Sequence, residues 1–232
     1  ILSGPCCGPR LREFQAFPLV LRIVPFTFNP FQENTYVLHD GREAVLVDPG
    51  CWNSGEEHEL ETYFAENGLT PTRLVLTHAH IDHVLGCAWA FQRYGLKPQM
   101  HRADLEMLRG APNVGRMYGL HCEPVPEPEV FLEEGDTIAL GNARMEVLFV
   151  PGHAPGHIAL YNAEERFVIA GDVLFHRSIG RTDLPGGDLG TLLSSISTKL
   201  FPLGDDVVVH SGHGPATTVG DERKHNPFLK QL

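Results

Sequence analysis

Thr77-His78-Ala79-His80-Ile81-Asp82-His83 follows directly on the apolar run Leu74-Val75-Leu76, so three histidines and an aspartate crowd the end of a predicted strand. A lone histidine at a strand end is usually structural or solvated. The pattern His-x-His-x-Asp-His after an apolar strand is far more specific, because imidazole and carboxylate at this density suit a metal. In extended chain His78 and His80 point the same way, two residues apart. Asp82 and His83 begin the next helix and point elsewhere, so the stretch feeds two neighbouring sites.

Outward from this stretch, short apolar strands alternate with amphipathic helices from about Ile23 onward. Thr35–Leu38 and Ala44–Val47 read as neighbouring strands across a polar turn, with Asp48-Pro49-Gly50 closing the second. Glu57–Asn67 has helical spacing, with Gly68 at its C-terminal end, and Asp82–Tyr94 reads as another helix. In the second half, strands over Met145–Val150, Phe167–Ala170 and Asp206–Val209 run into His153, Asp172 and His213 respectively. Pro124–Pro128 reads as a surface connector. Strands occur in pairs as well as alternating with helices. The expected class is therefore α/β (α+β), one domain over 23–232 with two packed mixed sheets flanked by helices. Residues 1–22, with Gly, Pro and Cys clustered at 4–9, read as an N-terminal tail of uncertain order.

Four strand ends thus each deliver metal-type side chains, and α/β sheets generally gather ligands at the carboxyl ends of strands. The set is His78, His80, Asp82, His83, His153, Asp172 and His213. A catalytic zinc takes about three protein ligands, so seven suit two divalent metals. His78, His80 and His153 are assigned to one, Asp82, His83 and His213 to the other, and Asp172 to a bridge. His157, four residues beyond His153, is expected to support a ligand. His39, His58, His101, His121, His176, His210 and His225 lack partnering signals and are read as structural. Nothing matches a phosphate-binding loop.

Bulk properties narrow the partner. A formal net charge of -11 opposes nucleic acid or an anionic membrane surface, and favours a small-molecule substrate. No apolar stretch approaches the roughly 18 residues of a membrane span. Five cysteines without a Cys-x-x-Cys pair suggest reduced thiols and a cytoplasmic location. A monomer or homodimer is expected.

Taken together, these residues resemble the metallo-β-lactamase fold superfamily, whose signature is Thr-His-x-His-x-Asp-His followed by distant His, Asp and His. The resemblance runs from Val24 to Leu232 and implies an αββα four-layer sandwich with the metals at one edge. Asp172 stands where zinc β-lactamases of the main subclass carry cysteine, which points to the glyoxalase II-like branch. Gly180-Arg181-Thr182-Asp183 and Gly212-His213-Gly214-Pro215-Ala216-Thr217-Thr218, continuing through Glu222-Arg223 to Asn226-Pro227-Phe228, are similar to bacterial single-domain hydroxyacylglutathione hydrolases. Ser211 departs from the proline common there without removing a ligand.

The resemblance implies hydrolysis of an S-2-hydroxyacylglutathione, such as S-D-lactoylglutathione, by a metal-activated bridging hydroxide that Asp82 and Asp172 orient. The physiological setting would be methylglyoxal detoxification. Zinc is the first expectation for the metals, with iron or manganese as alternatives. Arg181 is a candidate contact for an anionic substrate, or a partner of Asp183 within its loop. The alternatives are a mononuclear-iron persulfide dioxygenase, which shares the Gly-Arg-Thr-Asp run but differs after the last histidine, a lactonase or phosphodiesterase, and a noncatalytic metal-binding protein.

Overall fold

The computed structural model describes residues 21–230. Numbered in chain order, the first half comprises β1 (Arg22–Phe28), β2 (Glu33–His39), β3 (Glu43–Val47), α1 (Ser54–Glu66), β4 (Thr70–Val75), α2 (Ile81–Val84), α3 (Cys87–Tyr94), β5 (Pro98–Met100), α4 (Leu105–Met117) and β6 (Val130–Phe131). The second half comprises β7 (Thr137–Leu140), β8 (Ala143–Phe149), β9 (Ile158–Asn162), β10 (Phe167–Gly171), β11 (Leu174–Phe175), β12 (Ser178–Ile179), α5 (Leu189–Ser195), β13 (Val208–Ser211), β14 (Thr217–Thr218) and α6 (Val219–His225). Of the expected tail, residues 1–20 lie outside the described residues. Leu21 and Arg22 are already in the fold: Leu21 packs in the core and Arg22 pairs with His39 in β1.

Two six-stranded sheets form, ordered β1-β2-β3-β4-β5-β6 and β14-β13-β10-β9-β8-β7. Each is mixed, as expected: β3, β4 and β5 run parallel beside the antiparallel β1-β2-β3 meander, and β10 runs parallel to β13 beside the antiparallel β7-β8-β9-β10 ribbon. Side chains alternate across a strand, and the sheets exploit both faces. Val37, Leu46 and Leu74 face the layer of α1, α3 and α4, whereas Leu38, Val45, Val47 and Val75 face the second sheet. Across that inter-sheet core, Met145, Val147, Leu160 and Ile169 come from the opposite side. Val168 and Ala170 of the second sheet turn outward onto Leu192 and Ile196 beneath the α5 layer. Four layers follow from the alternation, and truncating an inner leucine such as Leu46 or Leu160 to alanine costs about 2–5 kcal/mol.

Local signals account for most boundaries. α1 starts at Ser54 rather than Glu57 because Asn53 caps it, its Oδ1 accepting from the N–H groups of Gly55 and Glu56. It ends at Glu66 with Asn67 as C-cap, and Gly68 follows at φ +63, a left-handed conformation that glycine adopts without strain. The expected helix Asp82–Tyr94 is two helices, α2 and α3. Gly86 breaks it: its N–H bonds the Pro49 carbonyl at 2.8 Å, and a Cβ there would strike Cys51 Sγ. The strand expected over Asp206–Val209 is shifted to Val208–Ser211, because Val208 N–H bonds the Arg166 carbonyl and Val207 N–H turns back to Gly204. Cys51, Cys87 and Cys122 are buried free thiols. Among the described residues no helix is long and apolar enough to cross a membrane.

Candidate metal centre

Strand direction decides where the ligands meet. β8 is antiparallel to β9, β9 to β10, and β10 is parallel to β13, so β8, β10 and β13 run the same way. Their C-terminal ends therefore deliver His153, Asp172 and His213 to one edge. The end of β4 is stitched to that edge by Ile158 N–H on the Thr77 carbonyl at 2.8 Å, and the start of β2 by Asn34 N–H on the Gly212 carbonyl at 2.7 Å.

All seven expected ligands come together there. His78, His80 and His153 form one triad whose donor atoms lie within 4.8 Å of one another, and Asp82, His83 and His213 form a second. Asp172 reaches both: its carboxylate is 3.4 Å from His153 Nε2, 3.4 Å from His83 Nε2 and 3.5 Å from His213 Nε2. Glycine makes the approach possible, since a Cβ on Gly212 would strike Asp172 Oδ1.

Outer hydrogen bonds orient the rings. His153 Nδ1 donates to the Arg181 carbonyl at 2.7 Å, His213 Nδ1 to the Phe31 carbonyl at 3.1 Å, and His83 Nδ1 to Asp48 Oδ2 at 3.0 Å. His78 Nδ1 donates to Thr77 Oγ1 at 3.1 Å, and that hydroxyl donates onward to Asp48. Each of these four rings thereby points its Nε2 inward, the nitrogen left for a metal once it gives up its proton. His80 instead turns Nδ1 inward, 2.8 Å from His153 Nε2.

Asp48, Asp104 and Glu33 were not among the expected site residues. Asp48 accepts from Thr77 N–H, Thr77 Oγ1 and His83, and so braces two ligands from behind. It reads in sequence as a turn aspartate, although it too sits at a strand end on the same edge. Asp104 accepts from the N–H groups of Ala79 and Gly156, tying together the loops that carry His80 and His153. Glu33 is wholly buried, bonded through Oε2 to Thr35 and 3.8 Å from His83. His157 takes a supporting position: its Nε2 accepts the Asp172 N–H at 3.0 Å, and its ring stacks on His78 with centroids 4.6 Å apart.

Arg181, on the rim of the cavity beside the cluster, forms a two-pronged ion pair with Asp183, both contacts at 2.8 Å, while its backbone carbonyl serves His153. Among the histidines read as structural, His176 lies near Asp221 and Glu222, but Arg177 already bonds both carboxylates.

The electrostatics match a cation site. Burial raises the Asp172 carboxyl, but the imidazoles of His83, His153 and His213 outweigh it and hold the group well below the usual carboxylate range. Burial pulls His78 far down, and burial together with His153 brings His80 to about 4, leaving both neutral as ligands must be. His83 Nε2 and Asp172 Oδ1 are buried without any hydrogen-bond partner. An unsatisfied buried polar atom costs about 1–3 kcal/mol, and a cation between them satisfies both. The donor set thus fits a pair of divalent metals.

Beside the ligands opens a cavity of about 800 Å³, lined by His80, Asp82, His153, Asp172 and His213 at its floor and by residues of α4 along one wall.

The family model of the metallo-beta-lactamase superfamily matches residues 28–213. The chain belongs to the metallo-beta-lactamase superfamily. This family's fold implies a dinuclear divalent metal site built from His and Asp residues. The chain is 38% identical over 212 residues to hydroxyacylglutathione hydrolase GloC of Haemophilus influenzae, covering 90% of this chain and 97% of that protein. Among solved structures it is similar to TTHA1623 in a di-iron-bound form, with 41% identity, a TM-score of 0.80, and coverage of 89% of this chain and 100% of that one. It is also similar to the BLEG-1 B3 metallo-beta-lactamase, with 36% identity, a TM-score of 0.82, and coverage of 90% and 100%. As a superfamily member, the chain is a metallo-hydrolase-type protein.

Proposed function

We propose that His78, His80 and His153 hold one divalent metal, that Asp82, His83 and His213 hold a second, and that Asp172 lies between them. We further propose that the centre hydrolyses a glutathione thioester of the S-2-hydroxyacyl class, such as S-D-lactoylglutathione. The observation that carries the reading is the Asp172 carboxylate within 3.5 Å of imidazoles from both triads. The relative named hydroxyacylglutathione hydrolase supports the substrate class.

When bound, such a metal pair supplies a strong oxygen nucleophile at neutral pH and polarises the substrate carbonyl. The protein's own groups do the rest. Asp82 and Asp172, anionic beside the imidazoles, would orient the attacking oxygen by accepting a hydrogen bond from it. His157 and Asp48 hold the ligand frame so that this geometry is set before substrate arrives. The leaving thiol has a pKa of about 8.5, so it departs as thiolate without a general acid. Zinc is the metal of this reading, and the di-iron form of TTHA1623 supports iron as the alternative.

The test is turnover of S-D-lactoylglutathione by protein reconstituted with zinc or with iron, compared with Asp172→Ala. Hydrolysis in the parent that is lost on substitution is expected. A fully metallated parent that leaves the thioester intact while consuming oxygen with glutathione persulfide, or opening a lactone or β-lactam, overturns the assignment.

A further inference from the structure

The cavity above the ligand cluster has an apolar wall longer than a lactoyl group can use. α4 lines it with Met107, Gly110 and Val114, spaced by three and four residues so that they share one helix face, and Tyr118 continues the line just past the helix end. Phe31 also lines it, its ring edge-on to Tyr118 with centroids 5.4 Å apart. Gly110 is the informative position. It costs about 1 kcal/mol relative to alanine in a helix interior, yet a Cβ built there meets no atom within 4 Å. Neither a close approach nor a positive φ asks for glycine, and what its missing side chain leaves is room in the cavity. The charged side chains of this rim are already paired, Arg181 with Asp183 and Glu106 with Arg109.

A glutathione thioester has two unlike halves. The tripeptide is charged at both ends and loses hydration against Met107 and Val114, whereas an aliphatic acyl chain gains by leaving water. Resting on the thioesterase reading above, we propose that the preferred substrates carry an apolar acyl chain longer than lactoyl, laid along α4 over Gly110, with the glutathione half left to the polar rim.

The experiment compares acetyl-, lactoyl-, butyryl- and hexanoylglutathione on metal-loaded parent and on Gly110→Phe. Binding of the hydrolysis-inert S-methylglutathione and S-hexylglutathione is measured by calorimetry alongside. In the parent, kcat/KM should rise about fourfold per methylene buried. Gly110→Phe fills the groove at α4, which supplies none of the seven candidate ligands, so it should abolish that rise, read as the ratio of hexanoyl to acetyl kcat/KM within the variant. A flat or falling profile in the parent, or equal losses on short and long chains in the variant, overturns the proposal. If Gly110→Phe does not fold, Met107→Gln keeps the volume, removes apolar surface and must flatten the same profile. If the parent hydrolyses no thioester, the thioesterase reading fails on its own. Tighter binding of S-hexyl- than S-methylglutathione then still upholds the groove, and equal binding removes it.

Discussion

The carbonyl oxygen of Arg181 accepts the Nδ1–H of His153 at 2.7 Å, while the guanidinium of the same residue is paired with Asp183 and faces solvent. The backbone at 181 therefore orients a metal-type side chain, and the side chain of Arg181 is tied to its own loop through Asp183. Arg181→Ala should leave metal stoichiometry unchanged and shift stability by less than about 1 kcal/mol, the ceiling for an exposed ion pair. Elemental analysis and thermal melting check this, and a drop in metal content would mean that the side chain holds the loop in place.

Asp48 stands behind two ligands at once, accepting directly from His83 and through Thr77 from His78. Removing such a partner costs about 10–100-fold in metal affinity. Asp48→Ala should weaken metal retention by that factor in a chelator competition, with the apolar core unaltered. Parent-like retention would show that the rings are oriented by packing alone.

Asp104 is fully buried and serves only backbone donors, the N–H groups of Ala79 and Gly156. Asp104→Ala leaves both unpaired, at about 1–3 kcal/mol for each buried group. The urea midpoint should fall accordingly, and Asp104→Asn, which retains one acceptor, should fall between.

Burial lowers His83 and His213, but the carboxylates Asp172 and Asp82 beside them more than offset this and hold both imidazoles above the usual histidine range. Without metal these rings hold their second protons more tightly than an ordinary histidine does, and a metal must displace them. Apparent metal affinity should therefore rise with pH through this range, with net proton release on binding. Titration calorimetry in two buffers of different ionisation enthalpy measures the release directly. A buffer-independent heat would contradict it.

His210 lies between the rings of Tyr36 and Phe167, and burial brings its imidazole down to about 4. The unfolded chain titrates near 6.5, so between the two values it binds the extra proton. Stability from this group is whole above about pH 6.5 and is lost as pH falls toward about 4. Urea midpoints of the parent and His210→Phe should run parallel near pH 7 and converge or cross toward pH 4.5. Curves that stay parallel throughout would refute the assignment.

The clustering of the seven candidate ligands and the two-sheet layering were legible in the sequence because both are written in local patterns. His-x-His-x-Asp-His at the end of Leu74-Val75-Leu76 marks a strand-loop-helix step. The near-continuous apolar runs within Thr35–Leu38 and Ala44–Val47 mark strands that bury both faces. His153, Asp172 and His213 stand out for the same reason, each at the end of an apolar run. A side chain that must leave a strand end toward a common edge needs no distant information to be recognised.

What tertiary structure alone decided lies between segments far apart in the chain. The break at Gly86 exists because Cys51 and the Pro49 carbonyl press against it. Asp48 is a turn residue by its neighbours, and becomes a ligand brace only when β4 brings Thr77 and α2 brings His83 against it. Asp104 gains its role only when the loops of Ala79 and Gly156, 25 residues before it and 52 after it, meet across it. Gly110 is an ordinary helix defect until α4 is laid over the ligand cluster and its missing side chain becomes space. Residue types and their periodicity set which groups are available at the edge. The packing of one sheet on the other sets which atoms touch, since hydrogen bonds and excluded volume act over a few ångströms whatever the separation along the chain.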